Sequence, residues 1–243
     1  MKNKGLDLNE RDLVVDKEKP YLRPLICKGD YKTAEAMLIG INPASPIYPK
    51  DICIDDYTAL CADYNSFMEF YKKTRRNSGK KELSRTRTGI VSFVNWLNTN
   101  LHIDVIETDI FTYPTSSVKE LSYVSKDILM RSRDLFWNSF LSSHQCRMAI
   151  LYGSLTFKSF IELLTEKNIV CSVLYNSNGK TPSLGELAKY PIELLEENSP
   201  VLEVIISDKK IAVFAVRHLM YYGRTGESYD FVKTNILKFW KEV

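Results

Sequence analysis

Three polar residues stand at or just past the ends of stretches that read as strands, and each offers a different chemical capability. The apolar run Ala36-Met37-Leu38-Ile39-Gly40-Ile41 stops at Asn42-Pro43, the strand read over Ile103 to Phe111 carries Asp109 near its end, and Ile211 to Val216 leads into Arg217-His218. A nearly continuous apolar run of this length reads as a strand buried on both faces of a parallel sheet, and ligands of such sheets gather at the C-terminal strand ends. An uncharged amide such as Asn42 can orient a water through its oxygen but cannot take its proton. Ionised Asp109 only accepts hydrogen bonds, whereas His218 can donate one to a group on which negative charge develops. Each also has a plainer reading. Asn-Pro is a turn former, an Asp at a strand end caps the following turn, and a loop histidine is often a surface residue.

The elements that must position these residues follow from the hydrophobic pattern. Tyr57, Leu60, Cys61, Tyr64, Phe67, Met68 and Tyr71 recur at three- and four-residue spacing, which predicts a core-facing helix over 57–73. Residues 72–87 carry eight cations, Arg75, Arg76, Lys80 and Lys81 among them, against the single acid Glu82, and read as an exposed basic loop around Asn77-Ser78-Gly79. A helix at 88–99, a strand at 103–111, a helix at 125–141, a strand at 148–152 ending at Gly153 and a helix at 155–166 complete a β-α-β-α-β-α alternation. That alternation predicts an α/β fold of three layers, α/β/α, with a central, mainly parallel sheet of four strands. The last third holds strands at 169–175 and 201–206, a hairpin return at 211–216 and a closing helix at 227–241. Residues 1–33 are polar and interrupted by Pro20 and Pro24, so they read as an arm or short helix packed on a single domain over 34–243.

Composition narrows the function classes. The chain has 243 residues, 44% hydrophobic and 26% charged, a range that closes around one core. Five cysteines, odd in number and widely spaced without a Cys-x-x-Cys pair, predict reduced thiols and no metal centre. The N-terminus lacks the apolar segment of a signal peptide, and no run approaches the ~18 apolar residues of a membrane span, so a cytoplasmic chain with no membrane partner is expected. There is no Gly-x-Gly-x-x-Gly and no Gly-Lys-Ser/Thr loop to cradle a cofactor's phosphates, and no cofactor is expected. The net charge of +3 alone does not point to a polyanion; what matters is the clustering of cations at 72–87.

The segment Met37-Leu38-Ile39-Gly40-Ile41-Asn42-Pro43-Ala44-Ser45 resembles the first motif of the uracil-DNA glycosylase superfamily, a buried strand ending in Gly-x-Asn-Pro or Gly-x-Asp-Pro. The Asn form is that of the mismatch-specific and single-strand-selective branches. Further features follow in the family's order: a strand ending at Asp109, a strand ending at Gly153, a last strand leading to His218, an aromatic loop after it and a final helix. The resemblance implies a monomeric, metal-free DNA glycosylase that flips a base and hydrolyses its N-glycosidic bond, with Asn42 placing the water and His218 stabilising the departing base. It implies a base pocket of Gly40, Ile41, Pro43, Asp109 and a stacking aromatic, Tyr48, with Tyr57 second. Asp109 stands where many members carry Asn, so an exocyclic amino group would be favoured over the O4 of uracil. His218-Leu219-Met220 stands where the family writes His-Pro-Ser or Asn-Pro-Ser. Arg217, Tyr221, Tyr222 and Arg224 suit phosphate contact and filling of the gap left by a flipped base, or packing under the final helix. A module of this fold that binds DNA or a protein without cleaving is the alternative.

Overall fold

The computed structural model describes residues 10–176, 179–206, 208–223 and 225–242. The chain divides into two compact units that interleave along the sequence. Unit 1 takes the described residues of Met1–Ala34, Gly40–Glu82 and Ile106–Gln145; unit 2 takes those of Glu35–Ile39, Leu83–Val105 and Cys146–Val243. The described residues up to Ala34 belong to unit 1.

Unit 1 contains α1 (Glu10–Leu13), β1 (Ile26–Lys28), α2 (Ile54–Ala62), α3 (Tyr64–Asn77) and α5 (Lys126–Ser142), together with most of β3 (Val105–Asp109). The helix expected over 57–73 is two helices. Asp63 has an extended backbone and ends α2 while its carboxylate accepts from the Ser66 N–H at 2.6 Å, capping α3. A one-residue break preserves the three-and-four spacing of the apolar residues, so the pattern alone reads as one helix. The basic stretch is also not a loop throughout: Arg75 and Arg76 lie in the last turn of α3, and only residues 78–84 connect to the next helix.

Unit 2 holds five of the seven strands of the sheet, in the order β2 (Ala36–Gly40), β4 (Met148–Tyr152), β7 (Lys209–Val216), β6 (Leu202–Ile206), β5 (Val170–Val173). Strands β2, β4 and β7 are parallel, with Ile39 opposite Leu151 and Tyr152 opposite Val216; β6 and β5 join antiparallel. The α/β class therefore holds, but the sheet is mixed and larger than the four-strand, mainly parallel one expected. Its outer strand β5, expected over 169–175, alternates exposed and half-buried residues.

Alternate residues of β4 and β7, Met148, Ile150, Tyr152, Ala212, Phe214 and Val216, share one buried cluster with Phe93, Val94 and Leu97 of α4 (Arg85–Leu101) and Val232 and Ile236 of α9 (Asp230–Glu242). The period of two turns Ala149, Leu151, Val213 and Ala215 the other way, and α6 (Ser154–Glu166) and α8 (Ile192–Glu197) also pack on these strands. A short helix α7 (Leu184–Leu187) opens with a capping box between Ser183 and Glu186.

Candidate functional site

In unit 1, the Asn42 turn is zipped to the segment that follows β3. The Ile110 N–H donates to the Gly40 carbonyl at 3.0 Å, the Phe111 N–H to the Ile41 carbonyl at 2.9 Å and the Thr115 N–H to the Pro43 carbonyl at 3.1 Å. Gly40, Ile41 and Pro43 thus act through their backbones, and Ile41 and Pro43 are buried. Thr115, itself buried, donates its hydroxyl to the Ser117 carbonyl at 2.7 Å. Its one proton is committed there, so toward Asn42 the oxygen Oγ1 can only accept. Asn42 answers with Nδ2, which donates to Thr115 Oγ1 at 2.7 Å. The amide orientation follows from this network: the half-buried Asn42 side chain spends its donor on Thr115, while among the described residues Oδ1 has no donor. A free amide oxygen at a strand end is what placing a water requires.

Asp109 is buried, 9% exposed, at the end of β3, two residues before the segment zipped to Ile41. Tyr48 is half-buried with Lys50 over its ring at 5.3 Å. The buried Tyr113 has its phenol pushed above the usual tyrosine range, chiefly by burial and secondarily by Tyr48. Tyr57 is a core residue: 1% exposed, stacked on Tyr21 at 4.6 Å, its hydroxyl donating to the Leu22 carbonyl at 3.0 Å. It is therefore not available as a stacking platform.

In unit 2, His218 follows β7 and lies beside the end of β4. Tyr152 meets its ring edge-on at 5.6 Å between centroids, and a Cβ on Gly153, whose φ is 98°, would lie 3.5 Å from His218 Cδ2. The Met220 N–H donates to His218 Nδ1 at 3.2 Å. Nδ1 must be unprotonated to accept, and burial pushes the imidazole pKa below its ordinary value, so the ring is neutral with its proton on Nε2. That tautomer presents one N–H donor.

The loop lacks the proline of the resembled motif and is fixed by packing instead. Leu219 to Tyr221 form a 3₁₀ turn, Leu219 is fully buried, and the Tyr229 hydroxyl donates to the His218 carbonyl at 2.9 Å. Gly89 of α4 lets the turn approach, since a Cβ there would sit 1.8 Å from the Leu219 carbonyl oxygen. Tyr222 is buried, edge-on to Phe93 at 5.4 Å and tilted on Tyr229 at 5.0 Å, so it belongs to the core. Tyr221 is 65% exposed. Arg217 pairs with the buried Glu196, donates to the Ser228 carbonyl and lies 5.1 Å from the Tyr229 ring centroid. Arg224 lies outside the described residues.

No protein-family model matches the chain, and no curated protein matches it. The roles of these residues rest on their own geometry.

The cations of the basic stretch are not equivalent. Arg75 Nε donates to the Lys81 carbonyl at 2.6 Å and Arg76 pairs with Glu82 at 2.7 Å, both tying the end of α3 to the connection after it. Lys80 and Lys81 are exposed, with no acid among the described residues paired to their ammonium groups. Sequence reasoning missed Thr115 and Gly89. Neither carries a signal of its own, since each acts on a residue remote in the chain.

Proposed function

We propose that this chain is a monomeric DNA glycosylase that takes a flipped base and hydrolyses its N-glycosidic bond. The observation that carries the reading is the Asn42 amide at the end of a strand, its oxygen without a donor among the described residues; the neutral His218, with its proton on Nε2, takes its role from the resemblance. As the bond to the sugar breaks, its electron pair leaves with the base and positive charge grows on the sugar. A water held by Asn42 Oδ1 adds to the anomeric carbon. Asn42 cannot take a proton, so the water's proton is lost only after the new C–O bond has largely formed, to solvent or to the departing base anion. His218 Nε2–H donates to that anion's oxygen, and a neutral donor does so without first having to lose a charge.

Asp109 is assigned to the edge of the flipped base, where a carboxylate favours an exocyclic amino group such as that of a modified cytosine. Tyr48 is the stacking surface. Lys80 and Lys81 supply backbone phosphate contacts, with Arg75 and Arg76 shaping the segment that presents them. Among the described residues no helix is long and apolar enough to cross a membrane, and all five cysteines are free thiols, as a reducing cytoplasm would keep them.

The test is a panel of single- and double-stranded oligonucleotides bearing uracil, cytosine or cytosine derivatives, incubated with the protein and then cleaved with alkali at abasic sites. Strand cleavage with an amino-bearing base, exceeding that with uracil, is expected. Binding of the oligonucleotides without cleavage of any would replace the reading by that of a non-cleaving DNA-binding module.

A further inference from the structure

Unit 1 contains a cavity of about 350 Å³, and a guanidinium is buried in its wall. The cavity is bounded by the loop Ser45 to Ile47 on one side and α3 on the other, with Arg23 between them. Arg23 is only 6% exposed. Its backbone N–H donates to the Thr112 carbonyl at 2.8 Å, which fixes the residue, and its guanidinium lies 5.3 Å from the Phe67 ring centroid. Among the described residues, no carboxylate pairs with the guanidinium and no carbonyl accepts from it. Asp51, the one acid lining the cavity, makes no ion pair with it.

The guanidinium is not sealed off from the cavity, so an anion that enters meets a cation with no described counter-charge. The surroundings suit such an anion. Lys73 lines the same cavity as a second cation, and Ser45, Thr74 and Asn77 offer uncharged polar groups. Phe70 and Tyr71 add flat apolar surface beside Phe67. The volume falls at the lower end of the range for small-molecule sites, larger than a bare inorganic anion fills.

We propose that this cavity binds a small planar anion, an aromatic ring bearing a phosphate or carboxylate whose charged group pairs with Arg23. The ring lies against the Phe70 and Tyr71 side, and Lys73 adds a second favourable charge at the entrance. The guanidinium fork matches either anion through two parallel hydrogen bonds. This site is independent of the glycosylase reading: none of Asn42, Asp109 or His218 lines it.

Isothermal titration of the full chain with thymidine 5′-monophosphate, 4-hydroxybenzoate and inorganic phosphate tests the proposal. One of the aromatic anions is expected to bind roughly tenfold or more tightly than phosphate; whichever binds better identifies phosphate or carboxylate as the natural head group. Thr74→Trp, an exposed position at the cavity's edge, is expected to weaken that binding at least about tenfold while leaving the far-ultraviolet circular dichroism unchanged. Arg23→Gln is expected to abolish it; should that buried substitution prevent folding, Thr74→Trp still decides. No binding of either aromatic anion, binding no tighter than phosphate, or binding untouched by Thr74→Trp would overturn the proposal.

Discussion

Asn42 Nδ2 donates to Thr115 Oγ1 at 2.7 Å, and because Thr115 has already given its own proton to Ser117, the amide can face it in one orientation only. The free Oδ1 of Asn42 is therefore a consequence of Thr115. Thr115→Val keeps the shape, removes the acceptor and lets the amide turn. Base release is expected to fall about tenfold, with folding stability reduced by roughly 1 kcal/mol, the scale of one hydrogen bond. Thr115→Ser restores both. Single-turnover excision assays and urea unfolding on the three proteins check this.

Gly89 faces the Leu219 carbonyl so closely that no side chain fits between them. Both sides of this approach are constrained, one by helix and one by backbone, so neither can yield cheaply. Gly89→Ala is expected to cost about 3 kcal/mol, the upper part of the range for overpacking, and to lower base release more than DNA binding because it displaces the turn carrying His218. Unchanged chemical stability would show that α4 does not hold the turn.

His218 gives a pH dependence of definite sign. Its folded pKa lies below the ordinary value of 6.5 because burial penalises the charged ring. Between the two values the unfolded chain binds more protons than the folded one, so stability falls as pH drops below about 6.5 and is fully present above it. Protonation of Nδ1 also breaks the hydrogen bond from Met220, so base release should decline over the same acidic window. His218→Gln should remove the histidine's share of both dependences, measured as urea midpoint and as rate against pH.

Arg217 and Lys80 carry the same charge but should behave differently. Arg217→Ala strands the buried Glu196 carboxylate, whose pKa burial already raises against the opposing pull of Arg217. About 2–3 kcal/mol of stability is expected to go, less than for a fully buried pair because a third of the Arg217 side chain is exposed. Lys80→Ala with Lys81→Ala should leave stability alone and lower the slope of log affinity against log salt by about 2, near one unit for each phosphate that is no longer neutralised. Fluorescence anisotropy at a series of salt concentrations separates the two.

Strands that are buried on both faces were the most legible elements. β2 and β4 carry uninterrupted apolar runs, and the expected ends agree with the observed Ala36–Gly40 and Met148–Tyr152 within a residue. Asn42 and His218 were legible as strand-end polar residues for the same reason. The Asp63 break was not, because a cap that costs one residue leaves the helical spacing intact. Nor was the difference between Tyr48 and Tyr57: both are tyrosines near a loop, and only tertiary packing puts Tyr57 in the core. Thr115 and Gly89 were invisible for a further reason. Thr115 acts across 73 residues of chain, and a lone Gly within a helical pattern shows no sign of the carbonyl it accommodates. Among the four cations named in the basic run, charge counting could not separate the engaged Arg75 and Arg76 from the exposed Lys80 and Lys81.

The most direct measurement is the single-turnover rate of base release by the parent protein and by Asn42→Ala, on the oligonucleotide of the panel that the parent cleaves best. Asn42→Ala removes the oxygen proposed to place the water and leaves Thr115 its own bond to Ser117. A rate lower by about tenfold or more, with DNA affinity and unfolding midpoint close to the parent's, is the expected result, since one well-placed hydrogen bond in the transition state is worth at least that. Equal rates for the two proteins, or no base release by the parent from any oligonucleotide, would contradict the assignment of Asn42 to hydrolysis of a glycosidic bond.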